Sequence, residues 1–214
     1  MNQCFIDHIT ITAPTIEAGA ELVKKSLGVI PQKGGEHPRM GTHNLLLRLG
    51  EDVFLEVISC NPFAEKPKRP RWFALDDINK NTPAKLKTWV ARTEDIHCTL
   101  DVCSESLGEI EPMSRGETNW LITIPEDGSL PINEGAPALI QWQVKSHPAA
   151  NLNDYGLSLI KLQIYNPEAE RISKLLNSIN LTGDVKVLRS SESKIVASIN
   201  TPNGIRELYA CKKC

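Results

Sequence analysis

The chain has 214 residues, 41% of them hydrophobic and 23% charged, the proportions of a globular protein with one substantial core or two small ones. A formal charge of −2 and an isoelectric point near 6.2 leave no basic excess for a nucleic-acid partner, and the one basic run, Lys66 to Arg71, sits among Pro62, Pro67 and Pro70 as a solvated connecting loop does. No window reaches the length of a bilayer span and the N-terminus, MNQCFIDHI, lacks the pattern of a signal peptide, so no membrane partner and a cytoplasmic location are expected.

The first predicted element is a strand over residues 5–12, FIDHITIT, which puts Ile9 and Ile11 on one face and His8, Thr10 and Thr12 on the other. Ile16, Ala20, Val23 and Leu27 then fall at helical spacing, predicting an amphipathic helix over 15–27. Gly28 and Gly34-Gly35 punctuate the chain, His43 to Leu49 alternates, Gly50 to Asp52 makes a turn, and VFLEVIS at Val53 to Ser59 closes a first unit. In that last strand Glu56 shares an otherwise apolar face with Phe54 and Ile58. A carboxylate there is costly to bury alone, so it calls for a cation, a donor or a metal, and His8 and Glu56 are predicted to face one cavity.

A second unit repeats the order: a strand at LKTWVAR from Leu86, a helix over 94–107 with Ile96, Leu100, Cys103 and Leu107 at the same spacing, then strands in EIEPM, NWLITIP and ALIQWQV. A third begins at Leu157, where LSLIKLQIYNP parallels FIDHITITAP, and continues through a helix over 168–179 and strands VKVLRSS, KIVASIN and IRELYA. The expected fold is α+β, built of repeated βαβββ modules whose curved mixed sheets enclose a cavity. The modules span 1–60, 86–145 and 155–214, with 61–85 connecting the first two. Aligned on these landmarks, His8 stands against Thr88 and Lys161, and Glu56 against Gln141 and Glu207.

His37, His43 and Asn44 lie beside glycines that let backbone approach a ligand, and Arg115 in SRGE can supply a bidentate anion contact. Trp120 and Trp142 read as core and cavity wall, and His97 and His147 as surface residues. The six cysteines are too dispersed for a disulfide framework, and the terminal CKKC, with CxxC spacing, lacks the second ligand pair of a metal knuckle.

DHITITAP with its helix and LGV, GGEHPRMGTHNLLLRLG followed by VFLEV, SRGETNWLITIP and ALIQW, and the closing TPNGIRELY together resemble the vicinal oxygen chelate superfamily, in particular its glyoxalase-like domain proteins. The resemblance covers nearly the whole chain. It implies paired βαβββ modules forming a half-open barrel. In metal-using members a divalent ion is held by a first-strand His and a last-strand Glu, with like residues from the partner module. His8, Glu56 and Glu207 match that pattern, and Lys161 stands where a second histidine is expected.

Two readings follow. In one, His8, Glu56 and Glu207 hold Zn, Mn, Fe or Ni, and Glu56 or Glu207 is ligand or general base of a lyase, isomerase or dioxygenase acting on vicinal oxygens, with His37, His43, Asn44, Arg115, Trp120, Trp142 and Lys161 as substrate contacts. In the other, the Lys161 ammonium takes the ion's place in a metal-free protein that binds or sequesters a small molecule. Open barrel edges suggest a homodimer in either case.

Overall fold

The computed structural model describes residues 3–209, and the CKKC pair, Cys211 and Cys214, lies outside them. Strand β1 (Cys4–Thr12) leads to helix α1 (Ile16–Leu27), whose first turn is capped by Thr15 accepting from the Ala18 N–H. Strands β2 (Gln32–His37), β3 (Thr42–Arg48) and β4 (Phe54–Cys60) complete the first unit. The second consists of β5 (Lys85–Arg92), α2 (Ile96–Asp101), β6 (Glu109–Arg115), β7 (Thr118–Ile124) and β8 (Ala138–Trp142). The third comprises β9 (Ser158–Asn166), α3 (Ala169–Ser178), the short β10 (Leu181–Thr182), β11 (Val185–Arg189), β12 (Lys194–Thr201) and β13 (Gly204–Leu208).

All three predicted helices are present, but α2 stops six residues short of its expected end. Cys103 N–H closes the last turn onto the Leu100 carbonyl. Ser104 N–H then donates to Ser178 Oγ on α3, which draws the chain away from the helix axis.

β1 pairs in parallel with β4, and β5 likewise with β8. The antiparallel β1–β5 contact fuses the two halves into one mixed, curved sheet of order β2-β3-β4-β1-β5-β8-β7-β6. The half-barrel is therefore closed by the first and second units of a single chain. The third unit builds a separate sheet of order β11-β9-β12-β13, while its β10 adds to the start of β1. It is no independent body, because Leu162, Ile164, Ile172 and Ile199 pack in the same buried cluster as Ile9, Leu55 and Trp89.

A second cluster fills the hollow of the half-barrel: Met40, Ile58, Val90, Met113, Trp120, Ile122 and Ile140 meet Trp72, Phe73 and Leu75. Those last three come from a short 3-10 segment, Trp72–Asp77, within the stretch expected to be a connecting loop. The stretch is a plug as well as a linker. Apolar burial holds it in place even though Phe73 and Ala74 adopt left-handed φ of 58° and 52°.

Candidate functional site

The site begins with an irregularity in β1. Its register against β5 slips between Ile6 and His8, so Asp7 occupies a bulge. Neighbouring strand residues normally point to opposite faces, yet here His8 Nδ1 lies 2.5 Å from Asp7 Oδ1. The other Asp7 oxygen accepts from Trp142 Nε1 at 2.7 Å and meets His147 Nε2 at 2.9 Å.

The ring protons follow from the partners. Ala149 N–H donates to His147 Nδ1, so His147 carries its proton on Nε2 and donates it to Asp7. Asp7 thus accepts three donors, and His8 offers it Nδ1–H, turning Nε2 toward the cavity. Burial alone raises the Asp7 carboxyl, but the hydrogen bonds from His147 and His8 outweigh it and hold the group well below the usual carboxylate range. Phe54 stacks on His8 with centroids 4.5 Å apart and fixes the imidazole plane.

His8 Nε2 faces Glu56 Oε2 across 3.7 Å, too far for a hydrogen bond and close enough for both to touch one bound atom. Glu56 is anchored through its other oxygen, which accepts from Asn44 Nδ2 at 2.6 Å. Gly35 N–H donates to Asn44 Oδ1 at 2.9 Å and so settles which way that amide points. The glycine pair is a matter of space. A Cβ on Gly34 would stand 2.1 Å from Asn44 Oδ1, and one on Gly35 would stand 2.7 Å from Arg115 Cγ. His37 packs edge-on to Trp72 and Trp120 and is pushed down to about 3 by burial, with the Arg115, His43 and His8 charges acting in the same direction. It is a neutral wall, with Nδ1 3.0 Å from Thr42 Oγ1.

These side chains surround a cavity of about 20 Å³, room for one water molecule, lined by His8, His37, Phe54, Glu56, Trp72, Phe73, Arg115, Trp120, Ile122, Ile140 and Trp142. Its polarity is divided. Glu56 Oε2 and His8 Nε2 are acceptors. The lining residues Trp72 and Arg115 are donors: the Trp72 indole N–H is buried without a partner, and the Arg115 guanidinium makes no hydrogen bond or ion pair among the described residues. Burial lowers Arg115, while the Glu56 charge acts to raise it.

Of the residues singled out in the sequence, His8, Glu56, His37, Asn44, Arg115, Trp120 and Trp142 come together here. His43 points to the opposite face from Asn44 and bonds Ser59 Oγ at 2.9 Å. Lys161 and Glu207 do not reach the site: which units enclose the cavity was left open by the sequence, and the strands around it belong to the first and second. Both flank Ser198 in the second sheet, Lys161 half-buried on β9 and Glu207 exposed on the edge strand β13. His147 is not a surface residue but a partner of Asp7. Asp7, Trp72 and His147 were missed by sequence reasoning. The bulge, the plug and a bond spanning 140 residues have no local pattern, although the DH dipeptide and the WF pair were visible.

The donor set tests whether the metal of the resemblance fits. His8, braced by Asp7, has the form of a metal-binding histidine with its supporting carboxylate, and Glu56 stands beside it. The second unit adds no ligand: Gln141 Oε1 is taken by Ile96 N–H at 3.0 Å, and Thr88 offers only a buried hydroxyl. Among the described residues no three His, Cys, Asp or Glu side chains are grouped to hold an ion. One imidazole and one carboxylate, with a guanidinium in the same wall, do not match the three protein ligands of a catalytic zinc site.

A family model for the glyoxalase-like domain matches residues 6–179, most of the chain and nearly all of the large sheet. The chain belongs to the glyoxalase-like family. This glyoxalase-like protein is similar in fold to a hypothetical protein from Staphylococcus aureus, 14% identical, with 95% of this chain and 98% of that one covered at a TM-score of 0.64. It also matches a Mn(II)-bound glyoxalase from Novosphingobium aromaticivorans (7% identity, 94% and 80% covered, TM-score 0.49) and the Streptomyces coelicolor methylmalonyl-CoA epimerase (18% identity, 67% and 97% covered, TM-score 0.43). No curated protein matches the glyoxalase-like chain in sequence. None of its helices among the described residues is long and apolar enough to cross a membrane.

Proposed function

We propose that this protein is a small-molecule isomerase or lyase that moves a proton at a carbon flanked by oxygens, with Glu56 as general base. The observation that carries the reading is the Asp7–His8···Glu56 line, which aims one carboxylate oxygen, accepting only a long 3.5 Å bond from Thr10 Oγ1, and one fixed imidazole nitrogen at the same small cavity, 3.7 Å apart. Arg115 and the Trp72 N–H supply donors for the negative charge that forms on a substrate oxygen when the proton leaves. His8, oriented by Asp7, holds or returns a proton beside Glu56. In the metal-dependent form of this reading, Zn, Mn, Fe or Ni has His8 and Glu56 as its protein ligands; the missing third ligand favours the acid–base form.

The aromatic walls support a second reading, a protein that holds a ligand without turnover. Proton NMR in D2O over a panel of 2-oxo acids and 2-hydroxy aldehydes separates the two. The enzyme reading expects exchange of the hydrogen next to the carbonyl with at least one member, slowed about 10²- to 10⁴-fold by Glu56→Gln. Saturable binding with no exchange across the panel selects the second reading.

A further inference from the structure

A cavity with room for one water cannot hold a substrate, so the body of any ligand must lie elsewhere. Next to it is an open groove of about 610 Å³, walled by Lys33, Gly34, Gly35, Ser114, Thr118 and other residues between β2 and the β6–β7 turn. Arg115, the last residue of β6, is the one residue lining both spaces. Its stem crosses Gly35 at a distance that no side chain there would permit, and its guanidinium has five donors and no partner among the described residues. The side chain is half-buried and lines the open groove, and none of its nitrogens is sealed from solvent, so the unpartnered fork is within reach of a ligand there. A planar anion in the groove makes a two-pronged bond that matches the fork of the side chain.

We propose that the groove binds the body of an organic carboxylate, that Arg115 grips its carboxylate at the junction, and that this grip turns the side chain off Gly35 and joins groove to cavity. A carboxylate suits the position better than phosphate. Glu56 already faces Arg115, so a monoanion adds one negative charge there, whereas a dianion adds two. Lys33 and Glu36, both exposed on the groove wall, offset each other, so the attraction for an anion rests on Arg115.

The inference deepens the proposed function by naming its substrate class, and a binding measurement tests it apart from turnover. Three of the four tryptophans, Trp72, Trp120 and Trp142, line the cavity and report on the junction by fluorescence. The probes are 2-oxobutyrate, its methyl ester and inorganic phosphate. Saturable change is expected with 2-oxobutyrate alone. Affinity should fall about 10- to 100-fold in Arg115→Ala and by less in Arg115→Lys, which keeps the charge and loses the fork. Arg115→Ala should also raise acrylamide quenching by opening the cavity, with an unchanged unfolding temperature showing that the variant folds. Failure of 2-oxobutyrate to bind, equal binding of the ester or phosphate, or equal affinity in wild type and Arg115→Ala overturns the proposal. Binding that survives in Glu56→Gln without proton exchange in the wild type would sink the proposed function and leave the carboxylate site standing.

Discussion

Asp7 and His8 are consecutive in the chain, yet their side chains meet at 2.5 Å because the strand bulges between them and their cross-strand partners. That step fixes the tautomer of His8 and with it the nitrogen that faces Glu56.

Asp7→Asn should therefore act on both stability and site. The amide replaces one acceptor oxygen with a donor that meets the donors of Trp142, His147 or His8, so a cost of about 1–3 kcal/mol is expected. Nitrogen NMR should show His8 shifting its ring proton toward Nε2. The carboxyl of Asp7 is lowered in the folded state, so its contribution is complete above the unfolded value of about 4 and is lost as pH falls below it. Denaturant titrations of wild type and Asp7→Asn should converge in that acid range; parallel curves would refute the assignment.

His37 predicts a different window. Its folded value of about 3 lies below the ordinary value near 6.5, so the neutral ring favours the fold above pH 6.5 and the unfolded chain takes up the proton between the two. Stability should fall on acidification through this interval by up to about 1.4 kcal/mol per pH unit. His37→Gln should flatten that slope, and an unchanged slope would mean that the ring is not buried neutral.

Gly34→Ala is expected to be costly for steric reasons alone. The added methyl meets Asn44 Oδ1 and must displace the amide that holds Glu56, for about 1–3 kcal/mol. In a double-mutant cycle with Asn44→Ala the two losses should not add, because both break the same contact.

Trp72→Phe separates packing from hydrogen bonding. The indole N–H is buried without a partner among the described residues, so its removal should leave stability nearly unchanged, within about 1 kcal/mol, whereas Trp72→Ala should cost about 3–5 kcal/mol through the lost plug. If Trp72 donates to a substrate oxygen, Trp72→Phe will slow the reaction while melting like the wild type.

His8 and Glu56 were legible because period-two alternation sets a side chain's face, and both strands belong to one unit. Asn44 and Arg115 were legible as polar residues beside glycines. The third unit misled because its internal pattern is as good as the others. Which units join is decided by the β1–β5 register, a long-range pairing that local alternation does not encode. Trp72 lay in a segment with Pro and basic residues and no periodicity, so only burial in the finished fold reveals it. His147 looked like a turn residue for the same reason, its carboxylate partner being 140 positions away.

The shared core has a consequence for how the molecule is made. β1 starts at Cys4, and its parallel neighbour there is Leu181 of β10, while the apolar residues of β12 belong to the same cluster as Ile9. On a ribosome adding roughly 5–20 residues per second, the first strand waits about 10–40 s for the strands that cover it. During that interval Ile9 and Ile11 have only the first- and second-unit members of their cluster, such as Val23, Leu55 and Trp89, and the two-unit half-barrel emerges before the sheet that completes that core. Early folding of this chain should be the step most dependent on chaperones.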